Sequence, residues 1–194
     1  QQQLHSADRP TVLERHQHRT LSPRQGRQQP KPKRLRLFQR KGHDKTDAGA
    51  HGASIGVVMP FTLTQAQAFW QGLLPAIARG ERAMLVALAN GRPVGTVQLL
   101  LAMPDNGRHR AEVVKLMVHP QARRQGVARL LMQEVQALAA RHRRSLLVLD
   151  TLSGSAAQGL YRQLGFEAAG DIPQYARASD GGALEATCYM YKLL

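Results

Sequence analysis

The sequence predicts an α/β domain built on a mixed sheet, and three observations carry that prediction. Val113, Val114, Leu116, Met117 and Val118 form a nearly continuous apolar run, as expected of a strand buried on both faces, and His119-Pro120 ends it. Leu130, Leu131, Val135, Leu138 and Ala139 then recur at helical spacing, so the strand feeds a helix. Asn90-Gly91 and Asp180-Gly181 each separate two strand-like runs and mark hairpins. The order along the chain is helix, hairpin, strand, helix, strand, helix, hairpin.

Residues 1–45 are rich in Gln, Arg, His and Pro, with Pro10, Pro23, Pro30 and Pro32 interrupting any helix. They are expected to form a basic, disordered tail, in which only 34–38 (RLRLF) alternates like a strand. Beginning on Gln rather than Met, the tail is expected to belong to a partial chain or to a translation upstream of the natural start. The folded domain is expected over 46–194. Its first helix, over 64–79, has Thr64 as N-cap and an apolar face through Ala68, Phe69, Leu73, Leu74 and Ile77. Trp70 is expected in the core, with a kink at Pro75 and an end at Gly80. Residues 82–89 and 94–102 flank Asn90-Gly91 as a hairpin with a type I′ turn. The central helix runs to His142, 145–150 is a buried strand, and 155–164 a short helix in which Ser155 and Gln158 have the form of a capping box. Residues 167–194 form an antiparallel pair carrying Tyr175 on one arm and Tyr189 and Tyr191 on the other.

Composition narrows the function. The 194 residues suffice for one domain and a tail. Of the formal charge of +14, residues 1–50 hold +8, from 12 basic and 4 acidic side chains. The rest lacks the interleaved aromatic and basic residues that stack bases, so nucleic acid is not an expected partner. A single cysteine, Cys188, excludes an intrachain disulfide and favours a reducing compartment, the cytoplasm by default. No apolar run is long enough to cross a bilayer and no signal-peptide core is present, so no membrane partner is expected. The eight histidines show no ligand spacing, and no metal is expected. Neither a Walker A nor a GxGxxG loop occurs.

The junction of strand and central helix carries the chemistry. Residues 123–128 lie where a helix still has unpaired N–H groups, and Gly126 and Ala128 leave room for a phosphate to approach the backbone. The helix dipole favours its charge by about 0.3 to 1 kcal/mol per contact, up to about 2 when partly buried.

The spacing Arg123-x-x-Gly126-x-Ala128 after such a strand resembles the acyl-CoA-binding motif of the GNAT family, the Gcn5-related N-acetyltransferases. HRAEVVKLMVHPQARRQGVARLLM, LLVLDTLSGSAAQGLYRQLGF and GDIPQYARASDGG, with GASIG at 52–56 and GTVQL at 95–99, resemble its tabtoxin-resistance branch. The resemblance covers roughly 52–194 and implies a GNAT acyl-CoA N-acyltransferase fold: a mixed, mostly antiparallel sheet with flanking helices. It implies acetyl-CoA as cosubstrate and acetyl transfer to an amine of a small molecule, such as a toxin or antibiotic. Protein amines are the alternative acceptor, and a non-catalytic acyl-CoA sensor the alternative function. Homodimers are common in the family.

By the same resemblance the cosubstrate is held by the backbone of Met117 and Val118 and by Arg123, Arg124, Gln125, Gly126, Val127 and Ala128. Two departures from the pattern stand out. The charged run 39–51 occupies the space of the family's first strand and helix, and Gly154 stands where many members carry a pantetheine-binding Asn, a role for which Ser155 is the substitute.

Acetyl transfer to an amine needs a held thioester, a deprotonated amine, a polarised carbonyl and a proton for the leaving thiolate. Tyr161, in the LYRQLGF context, matches the family's proton donor, and otherwise reads as a core aromatic. An alkylammonium has a pKa of about 10.4, so a base is needed. Asp150 and Glu112 are the candidates, each a carboxylate among apolar neighbours. Their structural alternatives are a loop tie for Asp150 and an ion pair with His109, Arg110 or Lys115 for Glu112. The resemblance also puts Tyr175 near the acceptor. Cys188, in a terminal strand without a nearby His, reads as an inert hydrophobe rather than an acyl carrier.

Overall fold

The computed structural model describes residues 11–14, as backbone, and 58–194. The runs 34–38, 39–51 and GASIG lie outside the described residues. Seven strands form one sheet in the order β1-β2-β3-β4-β5-β7-β6: β1 (Thr11–Glu14), β2 (Arg82–Ala89), β3 (Arg92–Leu100), β4 (Arg110–Val118), β5 (Leu146–Leu152), β6 (Glu167–Arg177) and β7 (Leu184–Leu193). All neighbours are antiparallel except β4 and β5. The fold is the mixed, mostly antiparallel α/β sheet expected, with helices α1 (Leu63–Gly72), α2 (Leu74–Ala78), α3 (Val127–Arg141) and α4 (Ala156–Gln163).

Four residues of the segment expected to be disordered are instead a strand: Thr11–Glu14 pairs with Glu14 opposite Leu85 and Thr11 opposite Leu88. The backbone of β2 needs a partner on its outer side, and a short run with β-branched Thr11 and Val12 supplies one. A second difference concerns α1. Its cap is Thr62, not Thr64: the Thr62 hydroxyl accepts from Gln65 N–H while the Gln65 side chain accepts from Thr62 N–H, a full capping box. The helix then breaks at Leu73, and Pro75 sits in the first turn of α2, where its missing N–H costs nothing. Trp70 is half-buried, edge-on to Phe69, rather than in the core.

Asn90 and Gly91 both take positive φ, 50° and 74°, as a type I′ turn requires. One face of the sheet carries the core. Val127, Leu131, Val135 and Leu138 of α3 pack there against Leu85, Val97, Leu99, Ala111 and Val113, joined by Leu147, Leu149 and Met190. Gly95 sets how closely α3 approaches: a Cβ there would lie 2.9 Å from Val127 Cγ1, 3.0 Å from the Met117 carbonyl and 3.1 Å from Leu131 Cδ1. Gly95→Val is therefore expected to cost about 1–3 kcal/mol of stability, read from urea unfolding, and to shift the start of α3.

Candidate active site

The β4–β5 pair is the feature from which the site grows. Only Arg110, Ala111 and Glu112 pair with β5, opposite Leu146, Leu147 and Val148. Beyond that point the strands part, β4 running to Val118 and β5 to Leu152. A bulge drives the parting: between Thr96↔Met117 and Gln98↔Val114, β4 holds one residue more than β3, and Lys115 takes φ 57°.

The open side of β4 offers backbone groups to the gap. His119 N–H bonds Val94, and Gly95 lies opposite Val118. By the alternation of an antiparallel ladder, Met117 and His119 turn their peptide groups toward β3, and Val118 turns its own into the gap. Of the two residues expected to contact pantetheine through backbone, Val118 is the one so aimed. Arg123 Nε reaches back to the Val118 carbonyl at 3.4 Å.

At the end of the gap stands the N-terminus of α3. Arg124 and Gly126 are left-handed (φ 60° and 82°), and the Gly126 cap has no side-chain hydrogen bond, so the first amides of the helix, at Val127, Ala128 and Arg129, are left for an external acceptor. Nothing lies within 4 Å of a Cβ built on Gly126, so the glycine serves the backbone conformation and not a steric need. Gly126→Ala is expected to weaken CoA binding about 5- to 30-fold, the equivalent of the left-handed penalty of about 1–2 kcal/mol, in a calorimetric titration. The residues present thus fit a diphosphate-bearing cosubstrate: an uncapped helix start, a glycine turn, and two arginines, Arg123 and Arg124, directly before it in the chain.

Ser155 caps α4, its hydroxyl accepting from Gln158 N–H at 3.3 Å and lying 3.4 Å from Thr151 Oγ1. The expected capping box is only half made, because Gln158 Oε1 accepts from Gly154 N–H instead. Gly154 is left-handed (φ 74°), a conformation that Gly and Asn both tolerate, which accounts for the residue type found there. The same loop does not use Asp150: Ser153 N–H bonds Ala186 and Ser155 N–H bonds Leu152.

Arg82, Leu100, Glu112, Val148, Tyr191 and Glu167 lie abreast across six strands, on the face opposite α3. Asp150 and its cross-strand neighbour Tyr189 come two residues further along. Glu112 therefore stands at the fork of the strands with Asp150 on the opposing branch. Burial and the charge of Asp150 raise the Glu112 pKa above the usual glutamate value, against Arg82, Arg110 and Lys115. Sequence reasoning missed Arg82, Gln98 and, except as an ion-pair partner, Lys115. Fully buried Gln98 accepts from Arg82 Nη1, and burial lowers the Arg82 pKa despite Glu112. Lys115 lies 5.5 Å over the Phe69 ring, its pKa lowered by burial and by Arg82.

Tyr161 approaches from the other face, in the core cluster beside Phe166 and 7 % exposed. Burial and then Asp150 push its phenol up to about 12, so it stays protonated across the physiological range. Cys188 is buried, and burial raises its thiol.

Strands that part beyond Glu112, with an uncapped helix start at the end of the gap, are the arrangement expected of an acyl-CoA-dependent acyltransferase. Residues 80–168 match the family model described as acetyltransferase (GNAT) domain. The chain is similar to the ribosomal-protein-alanine N-acetyltransferase of Brucella melitensis at 27 % identity, covering 76 % of this chain and 88 % of that one, with TM-score 0.63. It shares its fold with yncA of Salmonella typhimurium, described as an acetyltransferase and solved with acetyl-CoA, at 22 % identity, 79 % and 92 % coverage and TM-score 0.61. A protein from Acinetobacter baylyi ADP1, also described as an acetyltransferase, matches at 17 % identity, 76 % and 81 % coverage and TM-score 0.64. Residues 80–168 thus form an acetyltransferase (GNAT) domain. The chain is an N-acetyltransferase with acetyl-CoA as cosubstrate, and no helix among the described residues is long and apolar enough to cross a membrane.

Proposed function

We propose that this enzyme acetylates the amine of a small molecule, as in the tabtoxin-resistance branch, by direct attack on the thioester. The observation that carries the reading is the fork itself, which has the core and Tyr161 on one face and Glu112 and Asp150 on the other. In this scheme the amides of residues 126–129 and Arg123, Arg124 and Gln125 bind the diphosphate. Met117, Val118 and Ser155 line the arm that reaches the fork, and an amide of Val118 hydrogen-bonds the thioester carbonyl.

Glu112 or Asp150 takes the ammonium proton. The amine then attacks the carbonyl carbon, the adduct nitrogen gives up its second proton to the other carboxylate or to water, and the C–S bond breaks as the tetrahedral adduct collapses. Tyr161 donates a hydrogen bond to the departing sulfur. Burial and Asp150 hold this phenol at about 12, so it is protonated at neutral pH and is available to the leaving thiolate as hydrogen-bond and proton donor.

A bridge over the acceptor face favours a small acceptor. Phe69 of α1 lies over Lys115 of β4, and just ahead of α1 Met59 N–H bonds Ser179 in the β6–β7 turn at 2.7 Å. The chain thus spans from one branch of the fork toward the other. The likeness to an alanine N-acetyltransferase of ribosomal protein motivates a second reading, a protein N-terminus. The reaction is placed in the cytoplasm, in line with the single cysteine, and a homodimer is the expected assembly. Thiol release from acetyl-CoA, followed with a panel of small amines and an alanine-terminated peptide, tests the choice. Turnover of small amines alone supports the proposal, turnover of the peptide alone supports the second reading, and CoA binding without any turnover overturns both.

A further inference from the structure

The acceptor face carries an apolar shelf for which the acetyl transfer itself has no use. Ile172 and Tyr175 of β6 are 44 % and 48 % exposed, among the large hydrophobic side chains least covered in the described chain. Ile172 is the cross-strand partner of Thr187, which lies two residues from Tyr189 on the same face of β7, and Tyr189 is the partner of Asp150. The shelf therefore begins beside a candidate base.

Its presentation is built into the backbone. Between Ile172↔Thr187 and Ala176↔Glu185, β6 has three residues where β7 has one, and Gln174 within that bulge takes φ 54°, which is costly for a residue other than glycine. The bulge brings Tyr175 to Tyr189. Their hydroxyls are 2.6 Å apart, and their rings stand edge to face at 89° with centroids 5.7 Å apart. Two hydrogen-bonded rings held in this way form a fixed wall, despite the exposure of Tyr175.

We propose that Tyr175 and Tyr189, with Ile172, determine acceptor specificity by receiving the flat apolar or aromatic group of a small arylalkylamine whose ammonium lies at Glu112 and Asp150. The inference rests on the acetyltransferase reading of the same site. Three features argue for this occupant. The wall is aromatic and partly exposed, it adjoins Asp150, a carboxylate that suits an ammonium, and the Met59–Ser179 hydrogen bond ties the chain ahead of α1 to the β6–β7 turn beside it. Lys115 and Arg82 lie on the other branch of the fork, away from the shelf.

The test compares phenethylamine with ethylamine in the full chain. The wild type is expected to prefer phenethylamine in kcat/KM. Tyr175→Ala should lose about 3- to 10-fold of that preference through KM, with the KM for acetyl-CoA unchanged, while Tyr175→Phe retains it. Being exposed, Tyr175 can be truncated without opening the core. Equal kcat/KM for the two amines in the wild type, or a preference untouched in Tyr175→Ala, would overturn the proposal. Absence of turnover with either amine would overturn the small-amine reading of the site instead, and titration calorimetry of phenethylamine against wild type and Tyr175→Ala then decides the shelf. Equal binding, or none to either, defeats it.

Discussion

Glu112→Gln and Asp150→Asn, made separately, are expected to lower turnover by about 10²-fold or more in at least one case, with CoA affinity retained. Both replacements keep size and shape and remove the ability to take a proton. Because an acceptor with a pKa of about 10.4 is almost wholly protonated at neutral pH, the lost base cannot be replaced by waiting for free amine. The pH profile separates Glu112 from a merely structural role. Its pKa is raised by burial and by Asp150, so its basic form is lost as pH falls through a value above the ordinary 4.5. If Glu112 is the base, log kcat/KM of the wild type gains one unit of slope below that value, and Glu112→Gln loses it. Unchanged rates in both variants would remove carboxylate catalysis.

Tyr161→Phe is the second large effect, a fall in kcat of about 10²-fold, since the hydroxyl is the group facing the developing thiolate in the proposed scheme. The ring, packed beside Phe166, stays in place, so stability should change little. The raised phenol, at about 12, predicts no loss of activity from Tyr161 ionisation below about pH 11. An acyl-donor thioester with a more acidic leaving thiol, such as a thiophenyl thioester, should be much less sensitive to the substitution. Equal sensitivity of the two thioesters would argue against a leaving-group role.

Much of this architecture was legible in the chain. Asn90-Gly91 located the first hairpin, and the apolar run ending at His119-Pro120 located the central strand, because positive φ and a sustained apolar run leave strong local signatures, although within β4 only Ala111 and Val113 are buried, on the α3 face. The helix start at Gly126 was legible for the same reason. The bulge at Lys115 was not: a continuous apolar strand carries no alternation, so nothing in VVKLMV says which residue is the extra one. Without the bulge the fork cannot be placed, and without the fork Glu112 and Asp150 are two separate carboxylates. Gln98 could have been noticed as a polar residue within an otherwise apolar strand, but its partner Arg82 follows only from the β2–β3 register. The sequence alone does not separate Thr62 from Thr64, because each has Gln three positions later, Gln65 and Gln67, and the capping-box spacing fits both. Strand β1 is too short to stand out in a polar, basic segment, and it exists because the edge of β2 is there to receive it.

The most direct measurement is the change in backbone amide resonances when CoA is titrated into isotopically labelled protein. Shifts should concentrate at Val118 and at residues 125–129, with smaller ones at Gly154 and Ser155 and little change at the β2–β3 turn. Saturable binding that leaves the amides around Gly126 unmoved, or that moves a cluster away from the parted strands, would contradict the site placed there.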